Sequence, residues 1–242
     1  MIITPSVEAQ KKLNDKLTHQ ITIDTDNDVY MLNGSDGYYT NGMFINFSKL
    51  GKNNKNDQGT KTIYNYAVGH KIFTPGIREV YVVTEIDRPI TGYLYGKFSI
   101  SKFTRSNKFI NYGLSLGTIG NNAQGEKVLK LYHPFIKINS DFWDWVWKYQ
   151  LKNEIGINLH GSFAKSLINY QSSPFFQVTP QTDLTLGTTF TNISQSVIFQ
   201  VGKQNSMSES SYWGARLSNS ENRAYKREFF FFYRPQVSYH LI

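Results

Sequence analysis

Ile21-Thr22-Ile23-Asp24-Thr25-Asp26-Asn27-Asp28 alternates apolar and polar residues along one extended run. A strand sends successive side chains to opposite faces, so Ile21 and Ile23 share one side while Thr22, Asp24, Asp26 and Asp28 share the other. Three carboxylates on one strand face cannot enter a dry core without partners. They require water, a cation or the polar lumen of a barrel. The spacing therefore predicts a strand over 19–32 whose acidic face looks into a wet interior.

The alternation continues downstream. Asn33-Gly34-Ser35-Asp36-Gly37 reads as a turn, and strands are predicted over 38–50, 61–73, 91–104 and 107–118. In the fourth run Tyr93, Tyr95, Lys97 and Ser99 alternate with Leu94, Gly96, Phe98 and Ile100. Between Gly120 and Trp147 the alternation weakens, and residues 126–138 read as one or two helical turns. Strands resume over 148–162, 163–171, 174–180, 183–192 and 194–204. A Ser/Asn-rich loop over 205–222 precedes a strong strand over 226–241. Residues 7–17 read as a short amphipathic helix or a lead-in, which divides the chain into a lead-in (1–18) and a β-barrel domain (19–242).

Roughly ten strands without intervening helices imply an all-β antiparallel sandwich or barrel. Strand lengths of ~10–14 residues exceed the ~5–6 usual in soluble sheets and suit tilted membrane strands. No apolar run approaches the ~20 residues of a transmembrane helix; the longest is Phe229-Phe230-Phe231-Phe232-Tyr233. A barrel shows lipid only every second residue, so low mean hydropathy does not exclude it. No signal peptide precedes the first strand, which leaves a cytoplasmic chain or a mature form with its signal removed.

Composition narrows the chemistry. The 242 residues carry 26 Lys+Arg against 18 Asp+Glu, a formal charge of +8, which favours anionic partners. The basic residues are scattered singly and form no stripe, so nucleic acid is not favoured. The absence of cysteine removes disulfides, thiolate–zinc sites and thiol catalysis. Aromatic residues make up 15% of the chain, which suits strands and the girdles of membrane barrels.

Few motifs carry chemistry. Asp24, Asp26 and Asp28 resemble the start of an EF-hand loop, but Val29 stands where that loop needs glycine. The run is either a solvated strand end or a hard-cation site in which Asp28 and Asn27 supply oxygen. His19, His70, His133, His160 and His240 show no metal-binding spacing. His133 lies in the one irregular segment and is the candidate general base. Trp143, Trp145 and Trp147 read as an aromatic belt or packed loop, or alternatively as a ligand platform. No GxSxG motif is present.

Several short blocks together resemble the lipid A 3′-O-deacylases. They are Asp26-Asn27-Asp28, Tyr39-Thr40-Asn41-Gly42, Ile72-Phe73-Thr74-Pro75, Asp87-Arg88-Pro89 with Gly92, Gly125-Glu126 with His133, and Gln150-Leu151-Lys152-Asn153-Glu154. They occur in family order across about residues 20–200. The resemblance implies a monomeric twelve-stranded outer-membrane barrel acting on lipid A in lipopolysaccharide. It implies calcium-dependent hydrolysis of the 3′-linked acyloxyacyl chain at a site between barrel wall and lumen. Carried over residue by residue, His133 is the base, Asn27, Asp28 and Thr40 organise the site, Asp28 binds calcium, and Arg78 or Arg88 contacts phosphates or sugars. Where the family has glutamine one turn before its histidine, this chain has Leu129. The step from Asp28 to Thr40 is also shorter than expected, and the chain reads as ending about two strands early. Two rivals stand beside this reading: a non-catalytic barrel (channel or lipopolysaccharide-binding protein) and a soluble carbohydrate-binding β protein.

Overall fold

The computed structural model describes residues 17–27, 38–52, 60–76, 82–104, 106–136, 145–219 and 227–241. The strands are β1 (His19–Asn27), β2 (Tyr38–Leu50), β3 (Thr60–Thr74), β4 (Thr91–Thr104) and β5 (Lys108–Ile119). Helix α1 (Gly125–Ile136) follows, and then β6 (Glu154–Lys165), β7 (Phe176–Gly187), β8 (Thr191–Lys203), β9 (Phe229–Tyr233) and β10 (Gln236–Leu241). They make one curled antiparallel sheet in chain order from β1 to β8, with β9 and β10 both on β8.

Five predicted runs are redrawn. The strands expected over 148–162 and 163–171 are one strand, β6, preceded by a 3-10 turn at Val146–Tyr149. The runs 174–180 and 183–192 are likewise one strand, β7. Pro180-Gln181-Thr182-Asp183 has the composition of a turn, yet each residue pairs across to β8. Its polarity is that of a lumen-facing strand: Asp183 accepts from Ser162 Oγ at 2.6 Å and from Arg234 at 2.9 Å. The terminal run 226–241 is instead two segments, broken at Arg234-Pro235 because proline has no N–H to offer the ladder.

The two faces of the sheet differ completely. Ile21, Ile23 and Ile155 are 70%, 69% and 76% exposed, and the same outward register holds Ile45, Val68, Leu116, Leu159 and Phe231. Exposed apolar patches on soluble proteins rarely exceed a few hundred Å². A band repeating on strand after strand is the lipid-facing surface of a membrane barrel. The opposite face is polar: Asn46 Nδ2 donates to Asp24 at 2.9 Å, Ser48 to Asn65 at 2.8 Å, and Asn65 and Asn111 to Ser101 at 3.0 and 2.9 Å. With Lys97 and Ser99 these residues line a lumen cavity of about 280 Å³. Asp24 lines it and Asp26 shares its inward parity, as the alternation predicted, while Asp28 lies outside the described residues.

At the end of the barrel where β2 stops and β3 begins, inward positions turn apolar. Leu50, Ile63, Phe103, Phe109 and Ala164 would face water there, but Met207, Ala215 and Leu217 fold into the lumen against them. Lys61 ties this plug by donating to the carbonyls of Ser208 and Ala215. Glu228 accepts from the Asn205 and Ser211 amides at 2.9 and 2.8 Å.

Candidate functional site

The other end of the barrel carries the predicted residues. Asn27 closes β1 and pairs in register with Asn41. Both take the outward parity of Ile21 and Ile23, so they stand on the lipid side of the wall. Tyr39 points the other way: its hydroxyl donates to Asp26 at 3.1 Å inside the lumen. The switch occurs at Thr40, where the β2–β3 register slips between Tyr39 and Asn41. A bulge adds one residue and re-aims the side chains beyond it. Thr40, buried, meets the Thr74 hydroxyl at 2.6 Å, and Thr74 follows Ile72 on the outward face of β3.

Helix α1 packs on the outer wall beside this patch, where Ile72 pairs in register with Asn41. Its anchor is a cluster of Ile72, Ile90, Leu129, Val146 and Trp147, with Trp145 packed against it. Ile90 has the outward parity of the exposed Leu94 and Phe98, which fixes the helix on the outer wall. Close approach is set by glycines: a Cβ on Gly92 would lie 3.0 Å from the Cα of Gly125. The turn into the helix is held at Gly120, whose φ of +83° favours glycine and whose amide donates to the Gly92 carbonyl at 3.2 Å. His70 also faces outward, and its Nε2–H donates to the Ala123 carbonyl at 2.8 Å just before α1.

Behind the same stretch of wall, the Lys71 ammonium lies 5.6, 5.9 and 5.7 Å from the ring centroids of Tyr39, Phe44 and Phe190. This cation–aromatic cluster fills the lumen mouth. Gly42 makes room for it, because a Cβ there would strike the Tyr39 hydroxyl at 2.1 Å. Arg88 is exposed on the β3–β4 connection, with its guanidinium 5.1 Å from the Tyr38 ring centroid. Its neighbour Asp87 accepts from the Gly76 amide at 2.9 Å, which holds that carboxyl below the usual carboxylate range.

Of the predicted residues, Asn27 and Thr40 come together on the outer wall. Position 133 lies in α1 one turn beyond the buried Leu129; the His133 side chain, Asp28 and Arg78 fall outside what is described. The resemblance implied a site between wall and lumen; Asn27 takes the outer face of that wall, and Tyr39 and Asp26 its lumen face. Trp145 and Trp147 are packing residues beneath that helix, and Trp143 lies outside the described residues. Two site residues were passed over: Asn41, which faces Asn27, and Thr74, which meets Thr40. Both stand in quoted blocks, but only the strand register selects them. Among the described residues no group of three or more His, Asp or Glu side chains is placed to hold a metal.

Comparison with known proteins bears on the whole chain. Residues 1–242 match the family described as Outer membrane protein LpxR. A solved structure, LpxR from Salmonella typhimurium, shares the fold with a TM-score of 0.67 at 17% identity, covering 91% of this chain and 76% of that one. No curated protein matches the sequence.

Proposed function

This chain belongs to the outer membrane protein LpxR family, and from that premise we propose that it is a hydrolase removing the 3′-linked acyloxyacyl chain of lipid A. One observation carries the reading. Helix α1 packs through Leu129 and Gly125 against Ile72, Ile90 and Gly92 of the outer wall, and Ile72 pairs in register with Asn41, on the side where a membrane lipid resides. A lipid substrate reaches such a site from the leaflet without entering the lumen.

In this reading His133 removes a proton from the water that attacks the ester carbonyl carbon, and returns it to the departing sugar oxygen. Imidazole suits the task because it titrates near neutral pH. Thr40 and the Asn41 amide offer donors to the developing oxyanion. Arg78 or Arg88 takes the phosphates or sugars, a role consistent with the surplus of positive charge. The side-chain amide oxygens of Asn27 and Asn41 are hard donors of the kind calcium takes, and Asp28 would add the charge. Asn27 and Asp28 would hold a calcium ion, which would supply polarisation of the ester carbonyl.

The test uses the purified full chain in detergent with bisphosphorylated lipid A. Release of the 3′ acyloxyacyl group is expected with calcium and is suppressed by a chelator. No release from folded protein in calcium would remove the reading.

A second reading, a barrel that binds lipopolysaccharide without hydrolysing it, is favoured by Leu129. That side chain is 3% exposed inside an apolar cluster and offers no hydrogen bond to orient His133. Tight lipid A binding without product would select it. The soluble carbohydrate-binding alternative is set aside, since the family is an outer-membrane one and the outer face is apolar.

A further inference from the structure

At the barrel end opposite α1, a groove of about 440 Å³ opens where the β6–β7 turn meets the end of β8 and the approach to β9. Tyr170, Phe175, Lys203, Gln204, Asn205 and Arg227 line it. Its backbone is held in place. The Tyr170 hydroxyl donates to the Gln204 carbonyl at 2.9 Å, and the Gly202 amide to the Phe175 carbonyl at 2.8 Å. Gly202 sits at φ +129°, and a Cβ there would lie 2.5 Å from the Phe229 carbonyl oxygen, so the close approach of β8 to β9 requires glycine.

Three features identify the occupant. Gln204 is only 5% exposed, yet its Nε2 has no hydrogen-bond partner among the described residues. A buried amide donor without an acceptor is costly, and native structures normally satisfy it. The adjoining void that Gln204 also lines, about 10 Å³, holds at most a single water. Second, Lys203 and Arg227 bring two cationic side chains to the same groove. Third, Lys203 pairs in register with Phe229, and Phe229 and Phe175 are 75% and 63% exposed at this rim of the lipid-facing band. Cations and a buried amide donor above a rim of exposed phenylalanines match a phosphate at the end of acyl chains.

We propose that this groove binds the phosphate of an anionic phospholipid in the leaflet at the rim opposite α1, through Lys203, Arg227 and Gln204. The site is separate from the one assigned to lipid A hydrolysis and does not depend on it. Bound lipid would brace the β6–β7 turn against β9 beside the lumen plug.

The test is native mass spectrometry of the full chain in nonionic micelles doped with phosphatidylglycerol, with phosphatidylcholine and inorganic phosphate as separate arms. One phosphatidylglycerol per chain is expected. K203Q/R227Q should weaken it about tenfold or more, as loss of charge-assisted contacts to phosphate implies. Gln204→Leu should weaken it less, and Lys49→Gln, an exposed lysine at the same end, should leave it unchanged. Heat-modifiable gel mobility reports folding, and Lys203→Gln alone replaces the double variant if that fails to fold. Equal retention by K203Q/R227Q and the parent overturns the proposal. So does phosphatidylcholine binding as tightly as phosphatidylglycerol, or inorganic phosphate displacing the lipid, which would mark a free-anion site.

Discussion

The two ends of the barrel solve one problem in opposite directions. At the α1 end the apolar residues Ile72 and Ile90 take outward parity, and a helix is laid over them from outside through Leu129 and Trp147. At the plug end Ile63, Phe103 and Phe109 take inward parity, and residues 207–217 fold into the lumen to cover them. Strand parity thus decides whether a covering segment lies on the wall or within it. In the proposed reading the outer face is where a lipid substrate can meet helix α1, whereas the plug has only the lumen to close.

The contrast is broken most strongly by truncating one anchor at each end. Phe103→Ala should cost about 3–5 kcal/mol in urea unfolding and leave lipid A hydrolysis per folded molecule near the parent value. Leu129→Ala should cost about 2–5 kcal/mol and also lower hydrolysis, because it loosens the helix that bears His133. Equal losses of hydrolysis in both variants would mean that the two ends are not independent. A smaller effect is expected at the bulge. Thr40→Val leaves the buried Thr74 hydroxyl without its partner and should cost about 1–3 kcal/mol, with Thr40→Ser retaining most of the stability.

The smallest effect concerns the β3–β4 connection. Asp87 has its pKa depressed in the folded state by the Gly76 amide, so its contribution is present above the ordinary value of 3.8 and is lost as pH falls through the lower folded value. Limited proteolysis between residues 75 and 90 should accelerate only below about that pH, and Asp87→Asn should abolish the dependence.

The sequence made the wall legible and the covering segments much less so. Alternation over Ile21–Asn27 correctly separated lipid face from lumen, because a two-residue period survives any register. The strand 38–50 was read with its observed bounds. The break read at residues 181–182 was misplaced because polarity such as that of Gln181 marks the lumen of a barrel as readily as a turn. Thr40 and Asn41 were visible as a block, but the bulge that turns them outward depends on how β2 pairs with β3. Leu129 read as a missing hydrogen bond in the sequence, and its packing against Ile72 and Trp147 became apparent only with the fold.

The most direct measurement is the mass spectrum of lipid A from Gram-negative cells expressing the full chain or its His133→Ala variant, both confirmed folded by heat-modifiable mobility. The account predicts loss of the 3′ acyloxyacyl mass with the parent chain and an intact lipid A with His133→Ala. An unchanged lipid A in cells carrying the folded parent chain, or the same loss with His133→Ala, would contradict it.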